Sequence, residues 1–263
     1  MKISKRIILA ALFLSISFQS NAWGSLGHRI VGQIAECYLT PKAKLEVIKI
    51  LGTESIAIAS NWPDFIKSDS TMSYLSMWHY LNLKGGLSYN DVQALLKTDT
   101  TINAYTRINF LVKELKNKLL PKDKKAFYLK LLIHIVGDIH QPLHVGRPDD
   151  RGGNNIRVQW FNVPKNLHQV WDAELIDLQQ LSYTEYTKAI NHTTKIQRLQ
   201  WQKQPVSEWI WQSYQIAEKI YGDIKQEEKL GYLYNYKYIQ ILEKQLVIGG
   251  VHLAGLLNQI FKM

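Results

Sequence analysis

Along the 263 residues, apolar positions recur mostly at steps of three and four. That spacing predicts helices over His28–Tyr38, Pro41–Leu51, Asn90–Leu96, Ile102–Leu119, Lys124–Asp138, Asn166–Leu178, Glu208–Asp223 and Tyr236–Phe261, since a stripe of period 3.6 turns one helical face toward a core. The ends carry start and stop chemistry: Thr40-Pro41 opens one helix, and Pro121 ends another. Strand character is convincing only in IRVQWF, Ile156–Phe161, which follows Gly152-Gly153-Asn154-Asn155, a turn suited to a short hairpin. The expected fold is mainly α, a single-domain multi-helix bundle with a short β-hairpin. No long Pro/Gly/Ser linker or repeat divides the chain.

The first residues change the picture. Lys2, Lys5 and Arg6 precede an apolar stretch, Ile7–Phe18, and small polar residues end in Ser20-Asn21-Ala22. This pattern is that of a secretory signal peptide over 1–22, because its apolar stretch is far shorter than the roughly 20 residues that span a bilayer. Cleavage after Ala22 would make Trp23 the first residue of a domain over 23–263, secreted or periplasmic and without stable membrane association. Losing those three cations takes the formal charge from +10 to +7. Such a surface is compatible with a polyanionic partner and equally with a solvated lysine-rich face. The single cysteine, Cys37, excludes an intrachain disulfide, and its apolar neighbours lead us to expect a small buried hydrophobe.

Candidate chemistry centres on LLIHIVGDIHQPLH, Leu131–His144. His134 and Asp138 stand four residues apart, about 40° around a helix, so one face offers two donors to one ion. Pro142 breaks the helix so that His144 can turn elsewhere, and His168 with Asp172 in NLHQVWD repeats the pair. Buried His and Asp are costly unless paired or metal-bound, and these donors are of the type zinc prefers. His140 stands four residues before His144, so its spacing also allows ligation, but a supporting hydrogen-bonding role is expected of it; His192 and His252 match no motif and are expected to be structural or exposed.

The chain resembles the zinc-dependent, single-strand-preferring nucleases of the S-one/P-one type. The resemblance rests on WGSLGH at Trp23–His28, NWPD at Asn61–Asp64, WHY at Trp78–Tyr80, HIVGDIHQPLH, GGN at Gly152–Asn154, and NLHQVWD. It implies a fold related to zinc phospholipase C and three zinc ions. One ion would take Asp64, His79, His134 and Asp138. A neighbour would take the amino nitrogen and carbonyl oxygen of Trp23, His28, and Asp138 as a bridge. A third would take His144, His168 and Asp172.

The resemblance further implies hydrolysis of P–O3′ bonds in RNA and single-stranded DNA to 5′-mononucleotides, with 3′-nucleotidase activity, by a monomer. Asp64 would also orient the attacking water, and Lys67 corresponds to a basic position near the scissile phosphate. Tyr80 occupies a base-stacking position often filled by phenylalanine, while Asn154 and Asp150 sit where base-recognising polar residues lie. Their alternative role is to form the DDRGGN turn. Two other readings are a zinc phospholipase C, whose last ligand is usually glutamate where this chain has Asp172, and a non-catalytic secreted zinc-binding protein. The segments Lys84–Asn90 and Lys195–Ser207 are expected to shape the cleft.

Overall fold

The longest apolar stripe, at the C-terminal end, becomes a 29-residue helix against which much of the chain packs. The computed structural model describes residues 23–262, so the expected signal peptide lies outside the described residues. In chain order come α1 (Ser25–Cys37), α2 (Pro41–Leu51), α3 (Ile56–Ala59) and α4 (Trp62–Phe65), then 3-10 turns at Ile66–Ser68 and Ser70–Trp78. Next are α5 (Tyr89–Thr98), α6 (Ala104–Leu115), α7 (Lys122–Asp138) and a 3-10 turn, Pro142–Val145. The hairpin β1 (Arg157–Trp160) and β2 (Val163–Asn166) leads into α8 (Leu167–Gln169), a π turn over Val170–Glu174, and α9 (Leu175–Asp177). The chain closes with α10 (Tyr183–Ile190), α11 (Lys195–Gln202), α12 (Val206–Asp223), β3 (Glu228–Leu230) and α13 (Tyr232–Ile260).

Helix α1 buries Ile30, Val31 and Ile34 and packs against α13. Their crossing is close because Gly250 lacks a side chain: a Cβ there would stand 2.5 Å from Cγ2 of Ile34. In α7 every residue from Leu131 to Asp138 is buried. A helix covered on all sides is a central one, and α7 touches α6, α13 and α1. The donors predicted on α7 are therefore held in the core.

Most predicted helices are present with shifted ends. Helix α6 stops at Leu115 rather than Leu119, because Asn117 turns the chain by accepting the Leu119 amide, and Leu119 is 91% exposed. The short sheet has strand order β2-β1-β3, with β1 antiparallel to β2 and parallel to β3. The hairpin does not close at Gly152–Asn155. It closes after β1 at Phe161 (φ 48°) and Asn162 (φ 64°), two left-handed residues whose twist suits a two-residue turn.

Cys37 is exposed, against expectation. It ends α1 at the edge of the buried stripe, and its thiol donates to the Gln33 carbonyl at 3.4 Å. Four α-helices escaped the periodicity: the single turns α3 and α4, and the longer α10 and α11. Helix α11 has no buried residue, so it carries little apolar signal, but Ser182 and Thr194 begin α10 and α11 with capping boxes readable locally.

Candidate metal centre and its cleft

Helix α7 carries His134 and Asp138 on one face, and the neighbouring elements aim their donors at that face. His28 comes from α1, Asp64 from α4, and His79 follows the Ser70–Trp78 turn. Three groups have donor atoms within 4.8 Å of one another: His28, Asp64 and His134; His79, His134 and Asp138; His144, His168 and Asp172. Asp138 links the first two, its Oδ1 lying 3.3 Å from His28 Nε2 and its Oδ2 3.0 Å from His79 Nδ1. His134 Nε2 lies 3.4 Å from that Oδ2 and 3.6 Å from Asp64 Oδ1. In the third group His168 Nε2 is 3.3 Å and His144 Nε2 3.9 Å from the Asp172 carboxylate.

These spacings fit zinc. Ligands about 2.0–2.2 Å from a tetrahedral ion stand about 3.3–3.6 Å from each other. Tautomers are set accordingly: Nδ1 of His134, His144 and His168 each donates, at 2.6 Å, to the carbonyl of Ser60, His79 and Gly152 respectively. Each Nε2 is thereby left with a lone pair facing its group. Both ring nitrogens of His28, both oxygens of Asp138, His79 Nε2, His144 Nε2 and Asp172 Oδ2 are buried without hydrogen-bond partners. So many orphaned donors at one place match a cation's needs, not those of hydrophobic packing.

The electrostatics point the same way. Burial, with Asp64 adding, holds the Asp138 carboxyl well above its ordinary value, and burial raises Asp172 likewise although Gln141 opposes it. Burial lowers His134 and His168 to about 4. Near neutral pH these imidazoles are therefore neutral, the state in which they ligate, and a cation would favour the ionised form of the carboxyls that burial disfavours.

Gly137 permits the close approach of α1, since a Cβ there would lie 2.8 Å from His28 Nδ1. Trp23 is wholly buried, and the adjacent Gly24 amide donates to the Asp172 carbonyl at 2.7 Å. The start of the described chain is thus tied to the third group.

A cleft of about 390 Å³ opens onto His79, His144 and His168. Lys67, Tyr80 and Asn154 line it as the motifs suggested, and Lys67 Nζ contacts Asp64 Oδ1 at 2.7 Å. Asp150 is not on that lining; its Oδ1 accepts from the Gly153 amide at 2.7 Å and from the Tyr221 hydroxyl at 2.9 Å. Among the described residues, none of Lys84–Asn90 or Lys195–Ser207 lines the cleft, because the first packs on α12 and the second, containing α11, packs on α13.

His140 is also redirected. Its Nδ1 donates to the Val136 carbonyl at 2.6 Å and its Nε2 meets His252 at 2.8 Å, so it belongs to a buried pair beside Trp209 and not to the metal donors' support. His252 is buried and structural, and His192 is exposed.

The family model described as S1/P1 Nuclease matches residues 23–262, the whole span that holds these donors. This chain belongs to the S1/P1 nuclease family. It is 29% identical to Endonuclease 4 of Arabidopsis thaliana over 91% of this chain and 89% of that protein. It is also similar to Nuclease S1 of Aspergillus oryzae, at 29% identity over 64% of this chain and 59% of the relative, and to Nuclease P1 of Penicillium citrinum, at 28% over 57% of each. As a member of the S1/P1 nuclease family the chain is an enzyme that hydrolyses phosphodiester bonds.

For this S1/P1 nuclease, sequence reasoning missed Gln141, whose Nε2 donates to Asp172 Oδ1 at 2.6 Å while its Oε1 accepts the Leu143 amide at 2.6 Å. A glutamine amid apolar residues was the available signal. Ser76, Asn82 and Arg151 on the cleft were also missed, and nothing in their spacing marks them.

Proposed function

We propose that this chain is an exported zinc nuclease that cleaves the P–O3′ bond of RNA and single-stranded DNA to give 5′-mononucleotides, and that it removes phosphate from 3′-nucleotides. The observation that carries the reading is the convergence of tautomer-locked imidazoles and unpartnered carboxylates on Asp138, beside a cationic, aromatic cleft. The names of the relatives, nucleases and endonucleases, support it.

In this reading one zinc is held by Asp64, His79, His134 and Asp138, a neighbour by His28, Asp138 and the amino nitrogen and carbonyl oxygen of Trp23, and a third by His144, His168 and Asp172. When bound, zinc supplies Lewis acidity, making hydroxide available near neutral pH and offsetting charge on the phosphoryl oxygens. Asp64 accepts a hydrogen bond from the attacking water and aims it at phosphorus. Lys67, held by Asp64 at the cleft wall, counters the charge that builds on the phosphoryl oxygens. Tyr80, 37% exposed and next to His79, gives an unstacked base a face on which to lie, which favours single strands. Asn154 meets the base edge, and Asp150 acts by shaping the turn that presents it.

Export enters the chemistry through Trp23. A peptide nitrogen has its lone pair delocalised into the carbonyl, whereas a freed amine can ligate. The test compares protein beginning at Trp23 with protein carrying one extra residue before it. Zinc per chain and turnover of single-stranded RNA should both fall in the extended form, and equal zinc with equal turnover would overturn the role of the terminus. Chelation should abolish turnover of RNA and 3′-nucleotides alike; activity that survives it would refute the zinc mechanism.

A further inference from the structure

A second cleft, of about 590 Å³, lies across the Ser70–Trp78 turn from the metal-lined one. Ser76 borders the first, while Tyr74 and Trp78 border the second, so the two share one wall. The opposite wall is aromatic, made by Phe110 of α6 and by Phe127 and Tyr128 of α7. Tyr74 meets Trp78 edge-on at 6.2 Å yet is 53% exposed, leaving ring surface free for a ligand.

Arg107 projects into this cleft. Its guanidinium lies 5.4 Å from the Trp78 ring centre and 5.1 Å from that of Phe110. Among the described residues no carboxylate stands within ion-pair distance of it, and its Nε is buried without a hydrogen-bond partner. A cation held by aromatic faces and lacking an anion is a receptor for one. Asp123 shares the rim with Lys124.

Beyond that rim the first turn of α7 borders a third cavity, a groove of about 630 Å³ that includes Lys116, Lys118, Lys122 and Lys125. Metal donors and lysines thus occupy opposite ends of α7. Lys122 to Asp138 is sixteen helical steps, about 24 Å at about 1.5 Å each.

We infer that the Tyr74–Arg107 cleft is a second subsite for single-stranded nucleic acid, where a base several nucleotides from the cut lies against the aromatic faces and its phosphate meets Arg107, the strand continuing to the lysine groove. An exposed Tyr74 ring beside the unpaired Arg107, with lysines in the groove beyond, suits an unstacked base on a charged backbone. A duplex would offer the lysines its phosphates but leave the rings without a partner. The inference rests on the nuclease reading for its substrate.

The test uses zinc-loaded protein and two substrates, a single-stranded 20-mer and a 3′-mononucleotide, with wild type, Tyr74→Ala and Arg107→Gln. In either variant KM for the 20-mer should rise about tenfold, of the order expected for one lost stacked base. Arg107→Gln should also flatten the salt dependence of that KM by about 0.7 in log–log slope, one phosphate contact on a single strand. KM and kcat for the mononucleotide should not change. An unchanged 20-mer KM, or equal shifts on both substrates, overturns the subsite. Tyr74→Ala keeps the test decisive if Arg107→Gln fails to fold, because Tyr74 is half exposed. Should wild type turn over neither substrate, the nuclease reading fails and the subsite is judged by anisotropy of a fluorescein-labelled 20-mer. Weaker binding by Tyr74→Ala than by wild type then upholds it, and equal binding removes it.

Discussion

Replacing Gly137 by alanine probes how α1 and α7 share the metal centre. The new Cβ would sit 2.8 Å from His28 Nδ1, where an ordinary contact needs about 3.5 Å. The ring must therefore withdraw by about 0.7 Å, well beyond the roughly 0.2 Å tolerated in metal–ligand distances. It has little room, since His28 is wholly buried and stacked on His134 with ring centres 3.8 Å apart. Overpacking costs about 1–3 kcal/mol, and alanine returns about 1 kcal/mol of helix propensity, so net stability should fall by up to about 2 kcal/mol. The larger effect should fall on the zinc proposed to be held by His28 and Asp138, whose affinity should drop about 10–100-fold, as for other disturbances of ligand orientation. Zinc titration followed by calorimetry reads the affinity, and thermal melting of the loaded protein reads the stability. Gly222→Ala is the control: it is exposed in α12 with no atom within 4 Å of the added Cβ, so it should keep all zinc and gain up to about 1 kcal/mol. If Gly137→Ala bound zinc as tightly as wild type and melted at the same temperature, the claimed contact between α7 and His28 would be refuted.

Gln141→Leu removes the donor to Asp172 and the cap on the Leu143 amide; zinc affinity at the His144–His168–Asp172 group should fall about 10–100-fold, and unchanged zinc retention under dilute chelator would contradict the assigned role. Acid should destabilise the fold through the core pair His140–His252 even at saturating zinc. Burial lowers His140 to about 4 and His252 well below its ordinary value. The unfolded chain takes up protons from about pH 6.5 while the folded state resists, so stability is complete above pH 6.5 and falls toward pH 4 by up to about 1.4 kcal/mol per pH unit per group. Urea unfolding at a series of pH values checks this, and a flat profile across that window would count against a neutral buried pair. Cys37, exposed with its thiol pushed up by partial burial and by Glu36, should react completely but slowly with maleimide in the native protein, leaving RNA turnover intact.

Which donors could ligate was legible in residue types and spacing. His134 with Asp138 and His168 with Asp172 each lie one helical turn apart, and that relation survives any arrangement of the rest of the chain. The motifs likewise marked Asp64, Lys67, His79 and Tyr80, which the structure brings to one centre or its cleft. Periodicity found the long helices because burying one face is a local demand with a fixed repeat.

What sequence left undecided were relations between segments distant along the chain. Nothing in HQPLH says that Gln141 turns toward Asp172 while His140 turns to His252, because one residue's step around the backbone selects opposite neighbours. Asp150 shows the same: its residue type suits a base edge or a turn, and the Tyr221 hydroxyl brought by α12 engages it in the turn. The tautomers of the donor histidines depend on the carbonyls of Ser60, His79 and Gly152, groups that every residue possesses and that only the packing of α3, the Ser70–Trp78 turn and the Gly152–Asn155 turn delivers. Local chemistry thus determined the donors and the helices. Tertiary packing decided where lone pairs point and which cations stay unpaired, since both depend on contacts that close only when the core does.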